Sequence, residues 1–389
     1  VVLKFEQSFN PFREEGSPIG RQFMNWNEMV RRPYDKKSVD AYTRTRTILM
    51  NGIENNSVLT SHAIARLTKE DGVKEVLGLI RRVDSQHQQT VNWLTPANQS
   101  ILETTLGYEQ VAVDLTANLA KNERNECLRQ VLDFALLEDF DHLYRYSLLA
   151  EILEGVRGDS ITQGKTEIKP GRPTAIEHRH PVDEMRKHFR RDEVDTRTWL
   201  NYYTIVSAEQ QTELYYKSHG FMFSDDMARK LYAEIAEIEE QHVSQYEAVG
   251  DPTLTDLEAL TLIQLNEAYN YYSCYVTEPD QRLKGIWERF MRDEITHFNM
   301  CAELLKKQEG KEISDLIPEE SIAPPIVFEP NKEYVNRVLD EQLDLQPYNM
   351  EFLRESELPK SWASYRYREV VNAGGVPSEE VVERHRQRR

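Results

Sequence analysis

Four times along this chain of 389 residues a glutamate is followed, about two helix lengths later, by an acid-x-x-His motif. The sets are Glu54 with Asp84 and His87, Glu109 with Asp139 and His142, Glu209 with Glu239 and His242, and Glu267 with Glu294 and His297. In the first three the Glu precedes the acid by 30 residues, and in the fourth by 27. An acid and a His three residues apart share one helix face, and spans of that length let a helix run out, turn and come back. Turn signals fall at the midpoints: Lys69 within Thr68–Gly72, Arg124 within Lys121–Asn125, Ser224 within Phe223–Asp226, and Asp280 just after Pro279. Ser, Thr, Asn and Asp there can cap the next helix, and Pro279 stops the previous one. Each set therefore reads as an antiparallel helical hairpin with its acids at one level, ~20 Å from the turn.

The acid-His pairs interrupt apolar stripes. Leu77, Ile80, Asp84, His87, Val91 and Leu94 follow helical spacing, as do Leu231, Ile235, Glu239, His242, Tyr246 and Val249. Ala135–Asp139–His142–Tyr146–Leu149 and Ile286–Phe290–Glu294–His297–Cys301–Leu304 repeat the pattern, and Leu260, Ile263, Glu267, Tyr271 and Cys274 do so on a partner helix. Such faces are buried faces. An uncompensated buried carboxylate costs several kcal/mol or becomes neutral, so a layer of acids around imidazoles calls for cations. Divalent metals meet that need with bridging and terminal carboxylates and neutral imidazole nitrogens. The bland alternative is a set of buried salt bridges that fixes helix register. A fifth acid-x-x-His, Glu177 with His180, lies among Pro and Gly with no Glu 30 or 33 residues before its His, and reads as chance or a surface feature.

The chain also repeats with an offset of 155. Glu54, Asp84, His87, Asp139 and His142 map onto Glu209, Glu239, His242, Glu294 and His297. Glu109 to Glu267 is offset by 158, which implies a three-residue insertion nearby. The expected division is an N-terminal arm (1–38), a first copy (39–155), a long Pro/Gly-rich connection (156–197), a second copy (198–310) and a Pro-rich C-terminal arm (311–389). Both arms should carry short helices that wrap the bundle or a partner. Both acid-His acids of the first copy are Asp, which reaches less far, so one copy can be active and the other vestigial.

A net charge of −18 and pI near 5.1 argue against nucleic acid or an anionic membrane as partner. No apolar run reaches the ~18–20 residues needed to cross a bilayer, and no signal peptide is visible. Cys274 and Cys301 fall on opposite sides of the acid layer and should not pair. A reducing cytoplasm is the expected compartment.

These residues resemble the ferritin-like superfamily of carboxylate-bridged di-metal proteins, the group of rubrerythrins, bacterioferritins and ribonucleotide reductase small subunits. There, one acid on the first helix of a hairpin and Glu-x-x-His on the second make half of a site. Glu209 with Glu239 and His242, and Glu267 with Glu294 and His297, match that pattern, while Glu54 with Asp84 and His87, and Glu109 with Asp139 and His142, match with Asp for Glu. Glu213, one turn past Glu209, is either an extra ligand or an exposed acid. The fold implied is all-α: two tandem ferritin-like four-helix bundles, eight core helices in four hairpins, with the two arms added. One departure leaves the assembly open. The superfamily joins its hairpins by a long crossover, but only 22 residues separate His87 from Glu109 and 25 separate His242 from Glu267, whereas 67 separate His142 from Glu209. Either each copy forms its own bundle, or the second and third hairpins share one centre and the first and fourth the other.

The resemblance implies a di-iron centre that activates O2 or reduces peroxide, with Mn or a mixed Mn/Fe pair open because the ligand set alone does not choose. No rubredoxin-like Cys-x-x-Cys is present, so a reductant must come from outside, and a homo-oligomer is open. Tyr215, Tyr216, Tyr246, Tyr269, Tyr271, Tyr272 and Tyr275 crowd the second copy's ligands, as core or as an electron carrier. The leading expectation is an oxidoreductase. Behind it stand a ferroxidase or iron-storage protein and a duplicated scaffold with vestigial sites. The substrate is not legible.

Overall fold

The structure, a computed structural model, describes residues 9–318, 322 and 324–388. Its helices in chain order are α1 (Trp26–Met29), α2 (Ala41–Leu67), α3 (Asp71–Asn92), α4 (Ile101–Asn122), α5 (Glu126–Glu154), α6 (Gly158–Thr162), α7 (Thr196–His219), α8 (Asp226–Val249), α9 (Asp256–Thr277), α10 (Gln281–Glu309), α11 (Lys332–Gln342), α12 (Ala363–Val371) and α13 (Pro377–Arg386). Strands β1 (Leu345–Tyr348) and β2 (Glu351–Arg354) pair as an antiparallel hairpin. The fold is an all-α bundle, and the four expected hairpins are α2–α3, α4–α5, α7–α8 and α9–α10. Their turns lie where the midpoints put them. Asn125 accepts from Leu128 N, Asp225 from Ala228 N, and Asp280 from Arg282 N and Leu283 N, which satisfies otherwise orphaned helix donors. Glu70, ahead of α3, makes no side-chain cap.

The repeat is more regular than residue types suggest. Helices α2 and α7, and α3 and α8, begin 155 residues apart, and α4 and α9, like α5 and α10, match at both ends. Ser100 and Thr255 open α4 and α9 with equivalent capping boxes. Gly155 and Gly310 close α5 and α10 in the left-handed region, φ 66° and 67°, which costs a side-chain-bearing residue far more. The insertion expected between Glu109 and Glu267 is therefore absent. Glu109 aligns with Gln264, and Glu267 stands nearly one helical turn further along.

The same offset runs into the arm and the connection. Ser17 N donates to Arg292 O at 2.9 Å, and Arg172 N to Leu137 O at 3.0 Å. Met24 N donates to Gln86 Oε1, and Arg179 N to Gln241 Oε1. Tyr34 N donates to Leu94 O, and Phe189 N to Val249 O. In each pair both partners differ by 155. The N-terminal arm and the long connection are thus one structural element, a strap, met once in each repeat. Gly16 and Gly171 are its closest approach. A Cβ on Gly16 would collide with Thr296 on α10, and one on Gly171 with the backbone of Leu137 and Asp141 on α5.

Of the two assemblies the sequence leaves open, the structure has the one that pairs the first hairpin with the fourth and the second with the third. The chain forms two compact units, and neither coincides with residues 39–155 or 198–310. The first comprises 1–96, 190–207 and 251–327, the second 97–189, 208–250 and 328–389. In the first unit α2 packs on α9 and α3 on α10, so the first and fourth hairpins meet. In the second, α5 packs on α8, which joins the second hairpin to the third. The first unit takes the first and fourth hairpins, and the second takes the second hairpin with α8 and the part of α7 from Ala208 on. The core of the second is Leu102, Leu106 and Val113 of α4, Leu136, Phe140 and Leu149 of α5, and Leu231 and Ile235 of α8. Its C-terminal arm closes over it: Val335 and Val338 of α11 and Val381 and Val382 of α13 join that core, while β1 and α12 cover the turn Pro181–Glu184. Replacing Gly171 with Ala should overpack the strap against α5 and lower stability by about 1–3 kcal/mol. Gly78→Ala, on a mid-helix site of α3 with open space around it, should instead gain about 0.5–1 kcal/mol, both read by urea denaturation.

Candidate metal centres

In the second unit the hairpins bring Glu109, Asp139, His142, Glu209, Glu239 and His242 together, all fully or almost fully buried. Two groups of ligand-type atoms lie within 4.8 Å of one another: Asp139, Glu209, Glu239 and His242, and Glu109, His142 and Glu239. Glu239 belongs to both. Its Oε1 is 3.1 Å from His142 Nδ1 and its Oε2 is 3.3 Å from His242 Nδ1. One carboxylate thus spans two positions, as a bridging ligand does. In the first unit Glu54, Asp84, His87 and Glu294 form the equivalent four-residue group. Glu294 spans the imidazoles there, with Oε1 3.0 Å from His87 Nδ1 and Oε2 2.8 Å from His297 Nδ1, and Asp84 Oδ1 approaches His297 Nδ1 to 3.1 Å.

Glu267 is the exception. It lies one turn beyond the place Glu109 holds in the other unit, and Gln264 occupies that place, donating to both Ser57 Oγ and Glu267. The two Asp-bearing motifs do not share a centre. Asp139 sits with Glu239, and Asp84 with Glu294, so each unit has one Asp and one Glu at the middle of its layer. The idea of a wholly Asp-based, vestigial copy falls with the copy-by-copy pairing.

The electrostatics explain why such layers call for cations. Burial pushes Glu109, Glu209 and Glu267 well above the usual carboxylate range, with neighbouring carboxylates adding to it. Burial lifts Glu54 to about 8 against the pull of His87. Glu239 goes the other way: the hydrogen bond with His142 and the closeness of both His142 and His242 outweigh burial and hold it at about 2. Glu294 is held at about 2 by His297 and His87, and His297 is raised to about 10 by Glu294 and Asp84 despite burial. Many oxygens are still left without a hydrogen bond: Glu109 Oε2, both of Asp139, both of Glu209 and Glu239 Oε2 in one unit, and Glu54 Oε2, Asp84 Oδ1 and Glu267 Oε1 in the other. His242 Nδ1 is likewise unbonded. Acceptors buried in this number, aimed at one another and at imidazole nitrogens, fit divalent cations and fit a purely protein-bonded network badly. The clusters can hold metal ions.

Each of the four cluster histidines turns Nδ1 to the acid layer and Nε2 to a partner behind it. His242 Nε2 meets Glu138 Oε2 at 2.8 Å, and His87 Nε2 meets Asp293 Oδ2 at 3.3 Å. Glu138 and Asp293 are the residues just before the motif acids and are 155 apart, so this support belongs to the repeat. His142 Nε2 meets Glu177 Oε2 at 3.0 Å, and His297 Nε2 meets Gln22 Oε1 at 2.8 Å. Both come from the strap, again 155 apart. Burial, and then Glu138, lift Glu177 to about 8 against its bond to His142. The fifth acid-x-x-His is therefore no surface accident: Glu177 is fully buried behind a cluster histidine, although His180 is exposed. The signal that finds it is the 155 offset to Gln22 combined with Gly16 and Gly171, rather than the motif itself.

Of the seven tyrosines, two touch the layer. Tyr216 donates to Glu109, and Tyr271 donates to Glu54 Oε1 at 2.5 Å. Tyr246 is buried with its hydroxyl unbonded, Tyr215 reaches Ile101 O, Tyr269 reaches Pro324 O, Tyr272 stacks on Phe9, and Tyr275 lies under Lys284. Glu213 pairs with Lys217 at 2.8 Å outside the cluster. All three cysteines are free. No helix among the described residues is long and apolar enough to cross a membrane. Set against protein-family models, curated proteins and solved structures, the chain finds no match.

A second buried layer stands behind the second unit's cluster. Arg179 donates to Glu138 Oε1 at 2.6 Å and Oε2 at 2.8 Å, and to Glu184 at 2.6 Å, while Arg172 reaches Glu138 at 3.2 Å and lies over the Phe134 ring. The equivalents of Arg172 and Arg179 in the first unit are Ser17 and Met24. Glu138→Ala strands both guanidinium groups without their shared carboxylate. The loss expected in chemical denaturation is about 3–5 kcal/mol, several times that of a solvent-facing Glu240→Ala control.

Proposed function

We propose that the chain is a carboxylate-bridged di-metal oxidoreductase of ferritin-like type, with one centre in each unit, that activates O2 or peroxide with electrons from an external reductant. The observation that carries this reading is Glu239, one buried carboxylate shared by two separate groups of ligand-type atoms and surrounded by acid oxygens that lack hydrogen bonds. Glu109, His142 and Glu239 would hold one ion, and Glu209, His242, Asp139 and Glu239 the other. Glu54, His87, Asp84 and Glu294 would hold one ion of the second centre, with His297 and Glu267 serving its neighbour. Iron is the metal proposed first, with manganese or a mixed pair as the variant the ligands equally admit.

A redox-active pair bound there supplies the electron chemistry and open coordination positions that O2 or peroxide requires. The rest is the work of this chain's own groups. Nε2 partners fix each imidazole so that Nδ1 faces the layer. The unbonded carboxylate oxygens supply negative charge that favours oxidised, more highly charged ions. Tyr216 and Tyr271 hold Glu109 and Glu54 by a hydroxyl proton and so limit how far those carboxylates swing. Complete burial excludes water, which strengthens each of these electrostatic effects.

Expression with iron and manganese should give about two metal ions per unit by elemental analysis. Fewer than half an ion per chain would sink the proposal. Glu239→Ala/His242→Ala should lose about half of the bound metal, because only the second unit's pair depends on those side chains. The reduced, iron-loaded protein should consume O2 at a rate that rises with added electron donor. Mineralisation of a large excess of Fe(II) inside a shell would replace this reading with iron storage.

A further inference from the structure

The two repeats place different groups behind equivalent histidines, and the difference is chemical rather than steric. Glu177 and Gln22 are the same strap position, 155 residues apart, and each receives the Nε2 side of one imidazole: His142 at 3.0 Å and His297 at 2.8 Å. Both are buried. Gln22 Nε2 in turn donates to Ser17 O at 2.7 Å, which fixes its Oε1 as the acceptor toward His297. Glu177 has no such second bond, and its Oε1 lacks a hydrogen-bond partner. The remaining histidines show the opposite contrast. His242 is backed by Glu138, whose charge is already shared with Arg179 and Arg172. His87 is backed by Asp293, which makes no arginine ion pair among the described residues.

An imidazole that donates Nε2–H to a free carboxylate carries more electron density on Nδ1 than one that donates to an amide, or to a carboxylate neutralised by arginine. A cation bound at Nδ1 would add positive charge beside the pair and favour the carboxylate form of the backing acid. We infer that each centre has one electron-rich and one electron-poor metal position, set from behind the imidazoles: His142 over His242 in the second unit, and His87 over His297 in the first. The rich position falls on non-equivalent histidines of the two repeats, so the duplicated centres are not copies in redox terms. Oxidised metal settles first beside His142 and His87. Glu177, Gln22 and Asp293 act through the histidines as positioning residues and touch no reacting atom.

This inference rests on the di-metal reading above, and the isosteric exchange of Glu177 and Gln22 tests it separately. Iron-loaded full-length protein is reduced stepwise with mediator dyes, one electron per iron, and followed by Mössbauer and EPR spectroscopy. Each centre is read alone in a chain whose other centre lacks its two histidines. Glu177→Gln should make the harder-to-reduce iron of the second unit at least ten-fold easier to reduce at fixed solution potential, which for one electron is 59 mV. Gln22→Glu should make the easier-to-reduce iron of the first unit harder by a similar factor. In both variants the gap between the two reduction steps narrows. Unchanged gaps in both, with metal content and melting temperature retained, would overturn the inference and leave the di-metal reading standing. A chain that binds no metal removes both. Gln22→Glu, in the other centre, decides the matter independently should Glu177→Gln fail to load iron.

Discussion

Buried negative charge is the constraint on which everything else depends. Each unit encloses a layer of carboxylates and imidazoles at mid-helix, where water cannot reach them. Two histidines cannot neutralise four acids. Part of the cost shows as the upward shifts of Glu54, Glu109, Glu209 and Glu267, which burial drives. Part is met by two carboxylates, Glu239 and Glu294, that stay ionised between imidazoles. The oxygens still unbonded define where cations are called for. Around this layer the apolar stripes, the straps and the Nε2 partners hold the ligands at fixed positions, which is what a metal pair requires of a protein.

Duplication and exchange explain the architecture. Each repeat is a strap and two hairpins of nearly invariant length, yet each compact unit combines helices of both repeats. Every centre is therefore half first repeat and half second. The exchange places one Asp and one Glu in the middle of each layer, and it lets the repeats diverge without leaving either centre short of imidazoles. Divergence is visible in three places: Gln264 where the other unit has Glu109, Ser17 and Met24 where it has Arg172 and Arg179, and Gln22 where it has Glu177. From Phe328 onward the C-terminal arm belongs to the second unit and packs over its core.

Local features were legible in the sequence, and long-range ones were not. Spacing of the acids, midpoint turns and apolar stripes located four hairpins and the residues that the units gather into buried clusters, because helix periodicity and caps are written in nearby residues. Pairing of the hairpins is not, since short loops at Pro96 and Pro252 permit neighbours to part as readily as to pack. Glu267 misled because matching it to Glu109 by residue type implied an insertion that the helix ends rule out. Glu177 was missed because Pro and Gly around it read as loop, and a loop residue can be buried only when a strap lies tightly on a helix. Gly16 and Gly171 carried that information, but only their shared offset reveals it.

The central claim is that each centre joins hairpins from different repeats. Anomalous diffraction from crystals of the iron-loaded protein tests it directly. The account predicts one metal pair among Glu109, Asp139, His142, Glu209, Glu239 and His242, and another among Glu54, Asp84, His87, Glu267, Glu294 and His297. A pair held jointly by α2–α3 and α4–α5, or no anomalous signal at these side chains in metal-loaded crystals, would contradict it.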